Sequence, residues 1–199
     1  MYDKDDKPKV IVICGPTALG KTSTAIHLAK SFDGEIIGAD SMQIYKYMDI
    51  GTAKPTLDEQ ARVKHHMIDV INPDEHFDAR NYAILSRKKV MELHEQKKIP
   101  FVVGGTGLYI KALIHGLFQT KASDSGIRDR LKAEAKAHGN AYLYNKLSHQ
   151  DPDTSKKIHH NDTYRIIRAL EVYALTGKTL TELHHAHGFK DSPFVVLKI

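Results

Sequence analysis

The string Gly15-Pro16-Thr17-Ala18-Leu19-Gly20-Lys21-Thr22 constrains this chain more tightly than any other stretch of its sequence. It is a complete G-x-x-x-x-G-K-T set in the surroundings that motif requires. The β-branched apolar run Lys9 to Cys14 precedes it, and Thr22 to Phe32 follows with Ala25, Ile26, Leu28 and Ala29 on one helical side. A glycine-rich turn between strand and helix points its backbone N–H groups inward, and the helix start adds about half a positive charge, so the pair suits phosphate oxygens. Lys21 adds a full charge, and the Thr22 hydroxyl is of the type that holds Mg²⁺ on such a loop. Gly15, Pro16, Thr17, Ala18, Leu19, Gly20, Lys21 and Thr22 are therefore the expected diphosphate or nucleotide site, with Thr22 as metal ligand, directly or through water.

A short apolar strand before such a loop is buried on both faces, which marks a parallel sheet. Asp33-Gly34 closes the first helix with a turn, and Glu35 to Ala39 gives a second strand ending at Asp40. HMIDVI at 66–71 reads as a further strand, and Phe77 to Lys97 as a helix capped by Asp78. Pro100 to Val103 reads as a buried strand running into Gly104-Gly105-Thr106-Gly107, with Leu108 to Leu113 as the next helix. The alternation predicts the α/β class: a P-loop three-layer core with a parallel sheet over residues 1–115, its ligand site at the carboxyl ends of the strands. From about Gly116 charged helical patterns take over at Ile127 to Ala137, Ala141 to Leu147, Asp153 to Ile158 and Thr163 to Leu175, so residues 116–190 read as an all-helical insertion. Phe194 to Ile199 is strand-like again, and residues 191–199 are expected to return to the core.

With 41% hydrophobic and 27% charged residues in a chain of 199, the composition is that of a globular protein and excludes disordered and collagen-like classes. Lys+Arg of 29 against Asp+Glu of 24 gives +5, which suits an anionic partner without requiring nucleic acid. No apolar run approaches the roughly 20 residues that cross a bilayer, and the start lacks the apolar region of a secretory signal. The expectation is a cytoplasmic protein with no membrane partner. Cys14, the single cysteine, lies in an apolar run and is expected to be buried and inert.

The loop alone does not decide the reaction, because it serves transferases, kinases, ATPases and GTPases alike. An ATPase usually places an acid at the end of an apolar strand, whereas Phe101-Val102-Val103 ends in Gly-Gly-Thr. The strand-end acid beside the loop is Asp40, which can hold a metal through water, act as a general base, or cap its own turn. Asp40, Ser41 and Gln43 gather a carboxylate, a hydroxyl and an amide of the kind that hydrogen-bond a purine edge. A small-molecule or nucleotide kinase and a nucleotide-regulated RNA-binding module are the competing readings.

The chain resembles the tRNA dimethylallyltransferases, also called tRNA isopentenyltransferases. The resemblance rests on GPTALGKT at 15–22, DSMQIY at 40–45, MDIGTAKP at 48–55, HHMIDV at 65–70, GGTGLYIKAL at 104–113 and RALEVYALTGKTL at 168–180, in family order. It implies transfer of a dimethylallyl group from dimethylallyl diphosphate to N6 of the adenosine just 3′ of the anticodon, with Mg²⁺. By the same resemblance the loop, with Lys21, clamps the leaving diphosphate, and Asp40 is the base that takes the N6 proton. Thr106 places a hydroxyl near the target nucleotide or the leaving oxygen. Contact with tRNA is implied for Asp40, Ser41, Met42, Gln43, Thr106, Arg128, Tyr164, Arg165, Ile166, Ile167 and Arg168. The resemblance also implies that the base is flipped into a channel that the prenyl donor enters from the other side. Tyr164 stands where the family usually has glutamine, and its ring can stack on a base instead. The family also continues beyond Ile199, which implies a downstream region absent from this sequence, and a monomer is expected. Histidines at 65–66, 159–160 and 184–187 lack the thiol partners and spacing of a zinc site. Lys132, Lys136, Lys146, Lys156, Lys157, Arg165, Arg168 and Lys178 form either a backbone-binding or a solvated face.

Overall fold

The computed structural model describes residues 7–118, 124–189 and 192–199. They form two compact units, one of the described residues up to Leu117 and from Ser192 onward, the other from Phe118 to Phe189.

In the first unit, strands β1 (Lys9–Cys14), β2 (Gly34–Gly38), β3 (His65–His66), β4 (Ile99–Gly104) and β5 (Val195–Lys198) make one sheet in the order β3-β2-β4-β1-β5. Every pairing is parallel. Helices α1 (Lys21–Ser31), α2 (Leu57–Arg62), α3 (Ala79–Glu95) and α4 (Gly107–His115) connect them. The central strands are apolar on both sides because two separate cores use them. Ala25, Ile26 and Ala29 of α1 pack on Ile13, Ile36, Phe101 and Val103. On the other face Tyr82, Val90 and Leu93 of α3 and Leu113 of α4 pack with Val10, Val12, Ile37 and Val102. Each fully buried aliphatic or aromatic side chain contributes roughly 1.5–3 kcal/mol, which is why the sheet is specified most strongly at its centre. The result is the expected three-layer α/β arrangement.

Two expectations need correction. The segment 66–71 is not a strand along its length, since only His65 and His66 pair with β2. Met67 and Asp69 take positive φ of 60° and 55°, which turns the chain out of the ladder. It then bonds the 43–46 turn, with Val70 N donating to Ile44 O at 2.8 Å and Lys46 N to Ile71 O at 2.8 Å. Cys14 is exposed rather than buried, because it is the last residue of β1, where the strand leaves the layers that cover it.

At the amino end of β2 the buried Glu35 takes His66 Nε2 at 2.6 Å and Lys98 Nζ at 2.5 Å. Burial raises the Glu35 pKa, but Lys98 and His66 outweigh it and hold the carboxyl below its ordinary value. Burial pushes His66 below its ordinary 6.5 more than Glu35 raises it.

The second unit consists of α5 (Ser125–His138), α6 (Asn140–Gln150), α7 (Pro152–Ser155), α8 (Thr163–Thr176) and α9 (Leu180–His187). Leu131, Leu143, Leu147, Ile166, Ile167 and Leu170 make its core. Beside that core Glu171, with no exposed surface, ion-pairs with Arg128 Nε at 2.8 Å and accepts from Arg168 Nη1 at 2.7 Å and the backbone N–H of Asp124 at 3.0 Å. Asp151 accepts from Thr154 N, Thr181 N and Thr181 Oγ1, tying the start of α9 to α7.

Because both Glu35 and His66 hold fewer protons when folded than unfolded, acidification must destabilise the first unit. The His66 share of stability is lost as pH falls below 6.5, and the Glu35 share as it falls below 4.5. Urea unfolding across this range is expected to show falling midpoints, with His66→Gln reducing the upper part of the slope, which His65 shares; an unchanged slope in that variant contradicts the assignment.

Candidate active site

The site is built from the carboxyl ends of β1, β2 and β4. β1 runs directly into the Gly15–Thr22 loop, where Ala18 (φ 69°) and Gly20 (φ 73°) take left-handed backbone and curl the chain around its own amides. Gly20 is the N-cap of α1, and no side chain caps that helix start, so the first-turn N–H groups remain available to an anion. Lys21 Nζ donates to Pro16 O, which folds the ammonium over the loop. Thr22 Oγ1 has no hydrogen bond with any described residue.

Beside the loop, β2 ends at Gly38, and after Ala39 the chain turns at Asp40. Asp40 Oδ1 accepts from Met42 N at 2.9 Å and Gln43 N at 3.4 Å, so one carboxylate oxygen holds the turn and Oδ2 is not engaged by a described residue. This turn is fixed from β4. Ala39 N donates to Val103 O at 2.7 Å, Thr106 N to Ala39 O at 3.0 Å and Ser41 N to Thr106 Oγ1 at 2.9 Å, while Thr106 Oγ1 lies 3.3 Å from Ser41 Oγ. Thr106 is the N-cap of α4 but makes no cap bond to that helix, because its hydroxyl is engaged across the chain with Ser41. Such closeness needs Gly104, where a Cβ would lie 2.2 Å from Ala39 O and 2.4 Å from Ala39 C.

The third wall is the 46–55 loop. Gln43 Nε2 donates to Thr52 O at 3.1 Å and to Ala53 O at 2.9 Å. Lys54, its side chain 5% exposed, reaches Asp49 Oδ1 at 2.6 Å, Asp69 Oδ1 at 2.7 Å and Tyr45 O at 3.0 Å. Burial lowers the Lys54 pKa, but the two aspartates outweigh it and hold the pKa above its ordinary value.

Together these walls enclose a cavity of about 290 Å³ lined by Thr17, Ala18, Gly20, Lys21 and Thr22 of the loop, by Asp40 and Gln43, and by Val103, Gly104 and Gly105. Further lining comes from Ser23, Ile36 and Gly38, and from Thr52, Ala53, Pro55, Glu59, His65 and Ile68, to which the sequence alone attaches no role, although five of these last six fall in the strings MDIGTAKP and HHMIDV. His65 Nδ1 donates to Val63 O at 2.7 Å, and burial lowers its pKa, which favours the neutral ring. The Lys21 ammonium and the helix amides together with the Asp40 carboxylate form a site able to hold a polyphosphate and to accept a proton near it.

The expected nucleic-acid contacts divide. Met42 is exposed, and Ser41 and Thr106 bond each other beside the cavity. In the second unit Tyr164 and Arg165 point outward, but Ile166 and Ile167 are core residues and their side chains are corrected out of any contact surface, because successive residues of a helix face different ways. Arg128 and Arg168 are about one-third exposed and share Glu171. The basic face is mixed: Lys132, Lys146, Lys156 and Arg165 pair with Asp129, Glu134, Asp153 and Asp162.

Fold and site define a phosphate-loop α/β protein whose loop faces a strand-end aspartate. A sequence model of the family described as IPP transferase matches residues 43–199. The tRNA dimethylallyltransferase of Desulfosudis oleivorans is 55% identical over 97% of this chain and 62% of its own length, and that of Desulfatibacillum aliphaticivorans is 50% identical over 96% and 62%. The full-length tRNA isopentenylpyrophosphate transferase of Bacillus halodurans is 42% identical with a TM-score of 0.60, covering 96% of this chain and 59% of that one. A eukaryotic dimethylallyltransferase acting on tRNA is 34% identical with a TM-score of 0.78, covering 96% and 47%. The chain belongs to the IPP transferase family, and it spans about 62% of the length of these two curated relatives.

Removing the lysine that ties the third wall should loosen the wall without unfolding the sheet. Lys54→Met is expected to speed amide exchange across 46–54 by about tenfold while leaving β1 and β4 protected, since local opening follows local contacts. Unchanged exchange in that loop contradicts the tie.

Proposed function

We propose that this chain transfers a dimethylallyl group from dimethylallyl diphosphate to N6 of the adenosine immediately 3′ of the anticodon in tRNA. The reading is supported by family membership, and by one observation above the others: Asp40 keeps a carboxylate oxygen available in the same cavity as the phosphate loop. In the reaction the N6 lone pair forms the new N–C bond while the allylic C–O bond breaks, diphosphate leaves with that electron pair, and Asp40 takes the proton released from N6. The loop amides and Lys21 hold the diphosphate and stabilise the charge that grows on its leaving oxygen. An adenine amino group is a weak nucleophile, so alignment and a placed base supply most of the rate.

Mg²⁺ fits the residues present, because Thr22 Oγ1 is a hard oxygen donor on the phosphate loop and is not engaged by a described residue. When bound, the ion supplies further neutralisation of the departing diphosphate. Among the described residues no helix is long and apolar enough to cross a membrane. We place the activity in the cytoplasm, carried by a monomer. ATP matches the loop by pattern but has no role as a substrate in this reading, so it is expected only to compete with the prenyl diphosphate.

The test is incubation with unmodified tRNA, Mg²⁺ and radiolabelled dimethylallyl diphosphate, counting label in precipitated RNA. Label is expected with the wild type, with a fall of at least about 100-fold for Asp40→Ala, from loss of the base, and for Lys21→Ala, from loss of leaving-group stabilisation. Phosphoryl transfer from ATP with no label on tRNA would favour a kinase and overturn the proposal.

A further inference from the structure

One residue that lines the cavity carries a buried polar atom with no partner among the described residues. His65 stands opposite Ile36 in the β2–β3 register, and paired residues point to the same side of a sheet, here the α1 side. Its Nδ1 lies 2.7 Å from Val63 O, a carbonyl that only accepts, so Nδ1 carries the ring hydrogen. Burial lowers the pKa of the ring, which is therefore neutral near pH 7 and leaves Nε2 as an acceptor. That atom is buried and bonds no described residue. A buried acceptor without a donor is costly, so a ligand group that brings one gains more than an ordinary hydrogen bond.

The reaction decides what meets this part of the cavity. The reacting carbon of the prenyl donor is joined to the diphosphate at the loop and must also reach the amine beside Asp40. The branched end of the chain then lies away from both. What the cavity keeps there is mostly apolar: Ile36, Val103, Pro55 and Ile68. Two nearby polar side chains are engaged locally, Ser23 Oγ donating to Gly20 O and Glu59 Oε2 accepting from Thr56 N and Oγ1. Against that lining His65 Nε2 is a neutral acceptor without a donor.

We propose that His65 determines specificity for the prenyl donor: Nε2 accepts a hydrogen bond from a hydroxyl on a terminal carbon of the chain, so that hydroxylated five-carbon allylic diphosphates are preferred over the unsubstituted one. The proposal rests on the functional reading above and adds the substituent of the donor to it. A dimethylallyl chain has no hydrogen-bond donor and leaves Nε2 unpaired, whereas a terminal O–H satisfies it. The bonds that change are those of the reaction already described. N6 bonds the allylic carbon, the C–O bond breaks with its electron pair leaving on the diphosphate, and the N6 proton goes to Asp40. The hydroxyl takes no part and is carried unaltered into the product.

The test is competition in the labelled transfer assay, with the full chain, unmodified tRNA, Mg²⁺ and radiolabelled dimethylallyl diphosphate. The unlabelled competitors are the E and Z 4-hydroxy diphosphates, their 4-fluoro counterparts and dimethylallyl diphosphate itself. Fluorine resembles the hydroxyl in size and electron withdrawal but brings no hydrogen. The better hydroxy isomer is expected to inhibit at a concentration about tenfold lower than its fluoro counterpart and than dimethylallyl diphosphate. Equal inhibition by hydroxy and fluoro compounds overturns the proposal. In His65→Leu the advantage of hydroxy over fluoro is expected to fall to about twofold or less, and full retention also overturns it. Should that variant not fold, the wild-type comparison of hydroxy with fluoro decides alone. Absence of label from tRNA with the wild type removes the transfer reading and this proposal with it, whereas labelled tRNA with indifferent competitors removes only the role of His65.

Discussion

The site depends on how closely β2 and β4 come together at their carboxyl ends. There is no room for a Cβ at Gly104, whose nearest neighbours would be backbone atoms of Ala39 at 2.2–2.9 Å. Because that room is absent, the ladder continues past the sheet: Val103 O takes Ala39 N, Ala39 O takes Thr106 N, and the Thr106 hydroxyl takes Ser41 N. Three bonds thus carry the rigidity of a buried strand into the turn that holds Asp40. On its other side β4 pairs with β1 in a register that sets Cys14 against Gly104, so the phosphate loop and the Gly-Gly-Thr turn leave the sheet at the same level. The common cavity of Lys21 and Asp40 follows from this register rather than from any contact between the two residues.

Three buried charges are handled in one way. Glu35 bridges His66 and Lys98, Lys54 bridges Asp49 and Asp69, and Glu171 bridges Arg128 and Arg168. One ion with two opposite partners recovers more of its desolvation cost than a lone pair, though replacement by apolar groups can match the net stability. What the apolar alternative lacks is direction. In each case the partners lie on segments that must be brought to a particular place: the β2–β3–β4 end of the sheet, the wall of the cavity, and the crossing of α5 with α8.

The sheet was legible because strands buried on both faces leave continuous apolar runs, and the phosphate loop because its residue types are set by backbone geometry and charge. The segment 66–71 misled for a physical reason: its alternating pattern is that of a strand, but Met67 and Asp69 enter left-handed backbone, and what they bond instead lies twenty-odd residues earlier. Cys14 misled because an apolar run does not say where its covering layers stop. Helices α2 and α9 carry little apolar periodicity and have no buried residues, yet both open with a readable T-x-x-E capping box, Thr56 with Glu59 and Thr179 with Glu182. The third wall of the cavity was not legible, since nothing in the types of Thr52, Ala53 or Pro55 announces that Gln43 and Lys54 fold them inward.

The string Tyr164 to Arg168 shows how a linear motif should be read once it lies on a helix. At 3.6 residues per turn five consecutive residues cannot share a face, so Ile166 and Ile167 anchor α8 in the core while Tyr164, Arg165 and Arg168 stay at the surface. Arg168 and Arg128 are already held by a carboxylate with no exposed surface. An arginine already fixed on Glu171 loses less rotamer freedom on meeting a phosphate than one that is free to swing. The buried glutamate therefore does not cancel the basic surface of this unit. It exchanges some of its charge for geometry, which is the more useful property where an anion must be met in one orientation.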